Sequence, residues 1–285
     1  MLGCAIKGGE PGGDTSASVE SQAASQRWAE LSDEFDFLDT SKWWTVLPSW
    51  DGSPPGFFVA DHSVVRDGIL RQYVYKPDAM PAQAPDDRTY TTAVLKSREN
   101  FLYGSVTIRA RSHSARVTSG FWFNHVSPEN WNEIDVFELN HRWRNSGRLM
   151  PTNLHVFRID GRDLEPRIFF QHTVRFGDSR AAPGLQHDNA FNTYRLDWRP
   201  DTLIMSLNGV PVRCVENVFF HQPMHVLLSA SIQTPAGLPT QQELEQARPY
   251  EVDYIRTAAY DPASADSARE CAGLEIERTP GDAPE

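Results

Sequence analysis

Short runs of β-branched and aromatic residues, separated by Gly, Pro, Asn and Asp, fill the chain from Trp28 to about Tyr260. None of them carries the 3.6-residue repeat of a long amphipathic helix, and their spacing is typical of an all-β protein. The segments that we predict as strands are Ser63 to Tyr75, Thr91 to Ser97, Gly104 to Arg111, Gly120 to Phe123, Glu133 to Leu139, Leu154 to Ile159, Tyr194 to Trp198, Leu203 to Leu207, His225 to Ile232 and Tyr250 to Arg256.

Two dipeptides favour antiparallel pairing of these strands. Asn208-Gly209 stands between two apolar runs, and Asp67-Gly68 separates Val64-Val65 from Ile69-Leu70. Both dipeptides readily take the positive φ angles of a two-residue hairpin turn. Ten or more strands exceed what one flat sheet holds, so we predict an all-β sandwich of two stacked sheets, curved enough for one face to form a groove.

The two ends of the chain differ from this central span. Residues 1–27 are rich in Gly, Ser, Ala and acidic residues, which predicts a flexible tether. The sequence around Cys4 resembles the end of a bacterial lipoprotein signal, so we expect a secreted or outer-surface lipoprotein. Cys214 and Cys271 remain as a possible disulfide pair in an exported protein. Residues 28–260 are predicted as the main domain and residues 261–285 as a mostly extended acidic tail.

Composition excludes several classes of protein. The 285 residues include 27 Lys and Arg against 38 Asp and Glu, so the net charge of −11 repels nucleic acids. No stretch approaches the ~18 uninterrupted apolar residues of a membrane-spanning helix. Three widely spaced cysteines lack the clustered spacing of a zinc site.

One predicted strand carries three carboxylates within six residues: Glu133, Asp135 and Glu138. Alternate side chains of a strand share a face, so Glu133 and Asp135 point one way and Glu138 would point the other. A β-bulge at Val136 and Phe137 would return Glu138 to the acidic face and leave the apolar residues packed inward. All three acids would then line the groove.

The spacing of these three acids alone is compatible with three interpretations. Carboxylates that approach the ~5.5 Å separation of retaining glycosidases can act as nucleophile and general acid, with the repulsion between them raising the pKa of the acid. Alternatively, acids on an exposed edge strand protect against aggregation, or they bind a metal.

Several segments together resemble glycoside hydrolase family 16. Glu133 to Glu138 is similar to the bulged active-site strand E-x-D-x-x-E of that family. The other matching segments, which cover about residues 30 to 258 in the order of the family, are Leu95 to Phe101, Tyr103 to Arg111, Phe191 to Trp198 and Val252 to Arg256. The resemblance implies a β-jelly-roll of two antiparallel sheets, concanavalin-like, with the active strand on the concave sheet.

The resemblance also implies roles for individual residues. Glu133 would be the nucleophile, Glu138 the acid/base, and Asp135 the residue that orients them. Trp122 and Trp131 are expected to stack on sugar rings, although core packing is an equal explanation for both. Trp43, Trp44 and Trp50 are weaker candidates, because core packing is the better explanation for them. Further substrate contacts are expected from Asn140, Arg142, Arg144, His155 and Gln233.

The segment after the acidic strand is basic in an otherwise acidic protein. Between Leu139 and Arg175 seven Arg stand against three acids; the Arg are Arg142, Arg144, Arg148, Arg158, Arg162, Arg167 and Arg175. The planar fork of Arg donates two hydrogen bonds to an oxyanion, which suits a sulfated sugar.

We therefore expect an endo-acting retaining hydrolase that cleaves internal β-1,4 linkages of a sulfated marine galactan. Within the family the segments around Asn140 and His155 look most like κ-carrageenases, with β-agarase or β-porphyranase as the alternative. A lectin-like galactan-binding module is a non-enzymatic alternative, and a transglycosylase is another. The chemistry requires no cofactor, although a structural Ca²⁺ is compatible with the family, and we expect a monomer.

Overall fold

Two sheets of eight strands each are stacked face to face in the computed structural model, which describes residues 28–140, 148–175 and 187–278. The front sheet has the order β1-β5-β14-β7-β8-β9-β10, with β2 beside β5. Its strands are β1 Trp43–Trp44, β2 Gly56–Phe58, β5 Tyr90–Ser97, β7 Thr118–Val126, β8 Trp131–Leu139, β9 Leu149–Ile159, β10 Arg162–Arg175 and β14 His225–Ser231.

The back sheet has the order β16-β13-β12-β11-β6-β15-β4-β3. Its strands are β3 Ser63–Arg66, β4 Ile69–Gln72, β6 Gly104–Arg111, β11 Asn192–Trp198, β12 Thr202–Leu207, β13 Val210–Glu216, β15 Tyr250–Ala259 and β16 Ile276–Glu277. Pairing is antiparallel except for β2 with β5 and β13 with β16. Helical structure is limited in the described ranges to a turn at residues 28–31, 3-10 turns at Ala60–His62 and Thr234–Ala236, and the helices α1 Gln241–Gln246 and α2 Ser267–Glu270. The predicted all-β sandwich is confirmed.

The space between the sheets is filled by large apolar side chains from both. Phe121 and Phe137 of the front sheet pack edge to face, and Phe137 contacts Tyr194 of the back sheet at a ring-centroid distance of 4.5 Å. Trp198 donates its indole N–H to the carbonyl of Phe220 at 2.8 Å, so its polar atom is satisfied inside the core. Aromatic pairs of this kind hold the two sheets at a fixed distance.

Both predicted hairpin turns are present. Asn208-Gly209 joins β12 to β13 and Asp67-Gly68 joins β3 to β4, all four residues with positive φ. A third turn, Asp160-Gly161, has the same conformation and joins β9 to β10. Our prediction missed β10, whose exposed, charged residues mark it as the edge of the front sheet.

Residues 261–278, the described part of the C-terminal segment, are not mostly extended, contrary to the prediction. Cys271 forms a disulfide bond with Cys214 of β13, and β16 adds a parallel strand beside β13. Arg199 pairs with Glu270 of α2 at 2.6 Å. These contacts fix the described part of the segment to the back sheet. No helix within the described ranges has the length and apolar character needed to cross a bilayer.

A buried cation joins this segment to the front sheet. The Arg213 side chain is fully buried. Its guanidinium donates hydrogen bonds to the carbonyl and the hydroxyl oxygens of Thr152 on β9, at 3.1 and 2.7 Å. Its guanidinium also pairs with Glu277 of β16 at 2.8 Å. Burial alone would raise the pKa of Glu277, but hydrogen bonds from His172 and Arg213 lower it to about 2. The pair thus connects β16, β13 and β9.

We expect Glu277→Ala to lower the free energy of unfolding by about 3 kcal/mol at pH 7, because it leaves the Arg213 charge buried without its carboxylate. A depressed pKa contributes stability above the unfolded value, so the difference should shrink as pH falls from about 4.3 towards 2. Urea denaturation at several pH values measures both effects. Glu275→Ala, at a nearby exposed carboxylate, is the control and should change stability little.

Candidate active site

Strand β8 lies between β7 and β9 in the front sheet and contains a bulge. Asp135 is opposite Trp122 and Phe137 is opposite Phe121, so Val136 has no partner on β7. Val136 and Phe137 are both fully buried in the core. The extra residue shifts the alternation of side chains by one position. Glu138 therefore points to the same groove face as Glu133 and Asp135. The predicted bulge and the predicted common face are both observed.

Two amides hold the carboxylate of Glu138. Gln233, in the loop after β14, donates Nε2 to Oε1 at 2.5 Å, and Asn153 of β9 donates Nδ2 to Oε2. Gln233 was predicted as a site residue and Asn153 was not. Asn153 faces the groove because it lies opposite Asp135 in the β8–β9 register. Its position two residues before His155 was the signal that could have identified it.

A histidine lies beside the other two acids. His155 is opposite Glu133, and its Nε2 is 3.2 Å from Oδ2 of Asp135 and 4.0 Å from Oε1 of Glu133. Burial lowers the pKa of the His155 imidazole, a shift that Glu133 opposes. The neutral ring with its proton on Nε2 can therefore donate to Asp135.

The same buried environment lowers the pKa of His155 but raises the pKa of the neighbouring acids. Burial raises the pKa of the Glu133 carboxyl well above its ordinary value, and repulsion from Asp135 adds to the rise. Burial also raises the pKa of Asp135, with a further contribution from Glu138. Because each ionised acid opposes ionisation of the next, the cluster retains protons at pH values where isolated carboxyls lose them.

Burial and repulsion, which together raise the pKa of Glu133, predict a pH-dependent stability of the Glu133→Gln variant. A carboxyl whose pKa is raised by folding makes the folded state bind more protons, so wild-type stability falls as pH rises above about 4.3. The variant lacks that loss, and its melting temperature should exceed that of the wild type at pH 7.5. The difference should vanish near pH 4.

Differential scanning calorimetry at both pH values measures it. Glu129→Gln, at an exposed carboxylate, serves as the control. An equal offset of the Glu133→Gln variant at the two pH values would contradict the explanation by burial and repulsion.

An aromatic platform lies on one side of the acids. Trp122 of β7 donates its indole N–H to Oγ of Ser229 at 3.1 Å, and Trp50 packs edge to face on it at 6.0 Å. Gly120 makes room for this ring opposite Glu138, since a Cβ there would lie 2.9 Å from Ser229 Oγ and 3.2 Å from Trp122 Cδ1. Trp122 was predicted at the groove, and Trp50, a weaker candidate, packs against it.

A second aromatic platform lies on the other side. Trp131 stacks on Phe157 at 4.5 Å, His155 stacks on Phe157 at 5.4 Å, and Phe169 stacks on His155 at 4.7 Å. The guanidinium of Arg167 lies 5.3 Å from the Phe157 ring. Trp131 was predicted at this position. Phe157 and Phe169 were not predicted, because their place depends on how β9 pairs with β8 and β10 with β9, and the sequence did not reveal that register.

The remaining predicted contacts are distributed differently. Asn140 is only 3% exposed and donates to Thr118 at 3.1 Å, so it lies under the surface at the end of β8. Arg142 and Arg144 fall outside the described residues, as does Cys4. Trp43 is fully buried and donates its indole N–H to Asp33, so the core explanation applies to it.

One group of side chains in the described ranges has the spacing of a metal site. Ligand atoms of Glu133, Asp135 and His155 lie within 4.8 Å of one another. These are the same groups that form the acid cluster, so an ion there would be bound by the carboxylates of that cluster.

Paired carboxylates between two aromatic platforms, on the groove face of a β-sandwich, define a class of protein, the jelly-roll glycoside hydrolases. The family model described as the GH16 domain of β-porphyranases A–D matches residues 26–259. The chain therefore belongs to glycoside hydrolase family 16, as the sequence motifs indicated, and it is a retaining glycoside hydrolase.

Individual relatives are distant in sequence. β-Porphyranase E of Zobellia galactanivorans is 26% identical over 243 residues, which cover 76% of this chain and 82% of that protein. An extracellular agarase of Streptomyces coelicolor is 28% identical over 204 residues, which cover 63% of this chain and 62% of that protein.

Solved structures share the fold. Porphyranase B from Zobellia galactanivorans superposes with a TM-score of 0.68 at 17% identity, over 80% of this chain and 90% of that one. The κ-carrageenase from Pseudoalteromonas carrageenovora superposes with a TM-score of 0.65 at 20% identity, over 80% and 92%. The β-jelly-roll expected from the motifs is confirmed.

Proposed function

We propose that this protein is an endo-acting enzyme that cleaves internal β-1,4 linkages of a sulfated galactan by double displacement. The observation that supports the proposal most directly is the bulge at Val136, which presents Glu133, Asp135 and Glu138 to the groove from one face. Aromatic platforms on both sides of the acids suit a polysaccharide chain that extends in both directions from the cleaved bond.

In the first step Glu133 attacks the anomeric carbon and Glu138 protonates the departing glycosidic oxygen. A covalent glycosyl-enzyme forms, and the C–O bond to the leaving sugar breaks. In the second step Glu138, now ionised, takes a proton from water, which attacks the same carbon and releases Glu133. Burial raises the pKa of Glu133, so this carboxyl must lose its proton before it can attack the anomeric carbon, and the proton for the departing oxygen comes from Glu138.

The amide partners of Glu138 suit this alternation between acid and base. The N–H of an amide donates to an ionised carboxylate, and its carbonyl accepts from a protonated one. Oδ1 of Asn153 is buried without a hydrogen-bond partner in the described part of the chain. Rotation of this amide would let it follow the protonation state of Glu138 while Gln233 holds the other oxygen.

The polysaccharide class rests on relatives and on charge. The family model and the matched sequence relatives are named for porphyran and agar, whereas the κ-carrageenase shares the fold at only 20% identity. We therefore place porphyran ahead of carrageenan, which the sequence motifs had put first. Arg167 supports a sulfated chain, because its guanidinium lies over the rings of Phe157 and Phe169, and its charge opposes the rise that burial causes in the pKa of Glu133.

Export is also part of the proposal. The Cys214–Cys271 disulfide is typical of a protein that matures outside the reducing cytosol. One matched relative is named an extracellular agarase. Secretion fits a polysaccharide substrate, and lipid attachment at Cys4 remains a prediction. The carboxyls supply both proton transfer and nucleophile, so we propose no cofactor.

A panel of purified polysaccharides tests the proposal: porphyran, agarose, κ-carrageenan, furcellaran and laminarin, each scored for new reducing ends and for product length. We expect release from porphyran with a rapid fall in viscosity, which distinguishes internal from terminal cleavage. Cleavage of κ-carrageenan instead would support the carrageenan-type substrate that the sequence motifs predicted. Cleavage of laminarin alone would overturn the galactan proposal, and high acceptor concentration reveals any transglycosylation.

A further inference from the structure

A cluster of basic side chains beside a tryptophan lies on the groove face at the other flank of the front sheet. Trp44 of β1 is opposite Lys96 of β5, and Lys96 is opposite Leu227 of β14. The side chains of Trp44 and Lys96 therefore lie on the same face. His225 of β14 joins them, with its ring centroid 5.9 Å from that of Trp44. The guanidinium of Arg98 lies 5.2 Å from the Trp44 ring centroid.

The register connects this flank to the acid cluster. His225 is opposite Asn124, which is opposite Glu133, so the three residues form one row across β14, β7 and β8. Three interstrand spacings, ~14 Å, separate β5 from β8 in the sheet order. The cations are thus too far from Glu133 to take part in bond cleavage, but they lie along the same face.

The neighbouring row is closed to a ligand. Val94 stands two residues before Lys96, in the row that leads through Ser229 and Gly120 to Glu138. Phe58 and Leu47 pack on Val94 in a small apolar cluster of the N-terminal loop. The open space beside the Lys96 side chain therefore lies towards His225 and the row of residues that leads to Glu133.

Glu99 is the acid that acts on this flank, where its charge opposes the fall in the pKa of His225. Lys96 is half-buried, and neither it nor Arg98 lies within 4 Å of an acidic oxygen of the described ranges. Arg98 uses Nε to donate to the carbonyl of Thr40, which leaves its terminal amino groups free to donate. Nδ1 of His225 forms a hydrogen bond with the carbonyl of Ser97 at 2.9 Å.

A half-buried ammonium without a counter-ion is costly in a protein of net charge −11, where acids are abundant. Burial lowers the pKa of Lys96, and Lys96 in turn lowers the pKa of His225, whose own burial is the larger cause. An anion bound here would remove both penalties. An indole beside the cations adds an apolar surface for the ring that carries the anion.

We propose that Trp44, Lys96, Arg98 and His225 form an anion subsite that binds a sulfate ester on a sugar unit distant from the cleaved bond. The proposal rests on the function proposed above and adds a second point, besides Arg167, at which sulfation is recognised. Ammonium and guanidinium groups donate charge-assisted hydrogen bonds to the sulfate oxygens. The subsite discriminates between galactans that share a backbone and differ in sulfation.

Lys96→Met tests the subsite, because methionine keeps the length of the side chain and removes its charge. We expect kcat/KM on the sulfated galactan to fall about tenfold, mainly through KM, and kcat/KM on the same polysaccharide after chemical desulfation to stay within twofold. Lys96→Arg should recover most of the loss. Lys76→Met, at an exposed lysine above the ring of Tyr90, is the matched control and should behave as wild type on both substrates.

The comparison of the two substrates separates charge recognition from damage to the fold. A Lys96→Met variant that loses the same activity on both substrates, or none on either, overturns the subsite. Calorimetric binding of a sulfated oligosaccharide to wild type and variant provides a readout that needs no turnover. If the wild type cleaves no galactan, the proposed function fails, and binding that depends on Lys96 and on sulfate still decides the subsite.

Discussion

Replacing Glu133 by Gln should reduce kcat on the polysaccharide by about 10⁴-fold or more, with little change in binding. The amide has the shape of the carboxylate but cannot form the covalent bond to the anomeric carbon, and losses of this size follow removal of a catalytic nucleophile. The measurement is the release of reducing ends together with retention of the variant on immobilised substrate. A pure binding module would also retain the polysaccharide, but its wild type would release no reducing ends.

The control for this experiment is Glu129→Gln, which makes the same chemical change at an exposed position outside the β8 strand. Its activity should equal that of the wild type. Wild-type turnover by the Glu133→Gln protein would remove Glu133 from the mechanism, and equal loss in the control would point to a general effect of altered charge.

Replacing Glu138 by Gln should reduce kcat on the polysaccharide by 10²- to about 10⁴-fold, because a sugar is a poor leaving group without a proton. An activated aryl glycoside leaves without that proton, so its first step should be much less affected. The glycosyl-enzyme should then accumulate, because no base activates the water. Azide, which needs no base, should restore turnover and give a glycosyl azide.

Burst kinetics on the aryl glycoside and product analysis with azide make these measurements. Glu133→Gln in the same assay is the matched comparison and should show neither burst nor rescue. If azide restored the Glu133 variant and left the Glu138 variant unchanged, the two roles would have to be exchanged.

The part of the site that lies on a single strand could be predicted from the sequence. Glu133, Asp135 and Glu138 stand on a single strand, and the apolar residues between them dictate where the bulge must be. His155 and Asn153 come from the neighbouring strand with the same alternation, yet only His155 was predicted. The fold class followed from local signals of the same kind, the turn dipeptides and the short apolar runs.

Features that depend on distant residues could not be predicted. Arg213 is buried because Glu277, 64 residues later, supplies its counter-charge, and nothing local in the sequence indicates that pairing. Trp43 and Trp44 are adjacent, but strand alternation sends one to the core and the other to the groove face. Choosing between them requires the register of β1 against β5.

The unpaired Val136 has a consequence for how this protein can vary. Most substitutions between Asp135 and Glu138 change only volume or polarity, whereas losing or gaining one codon there would turn every later side chain of the strand over, moving Leu139 to water and Glu138 to the interior. Homologues should therefore tolerate apolar substitutions at positions 136 and 137 and show no insertions or deletions between Asp135 and Glu138.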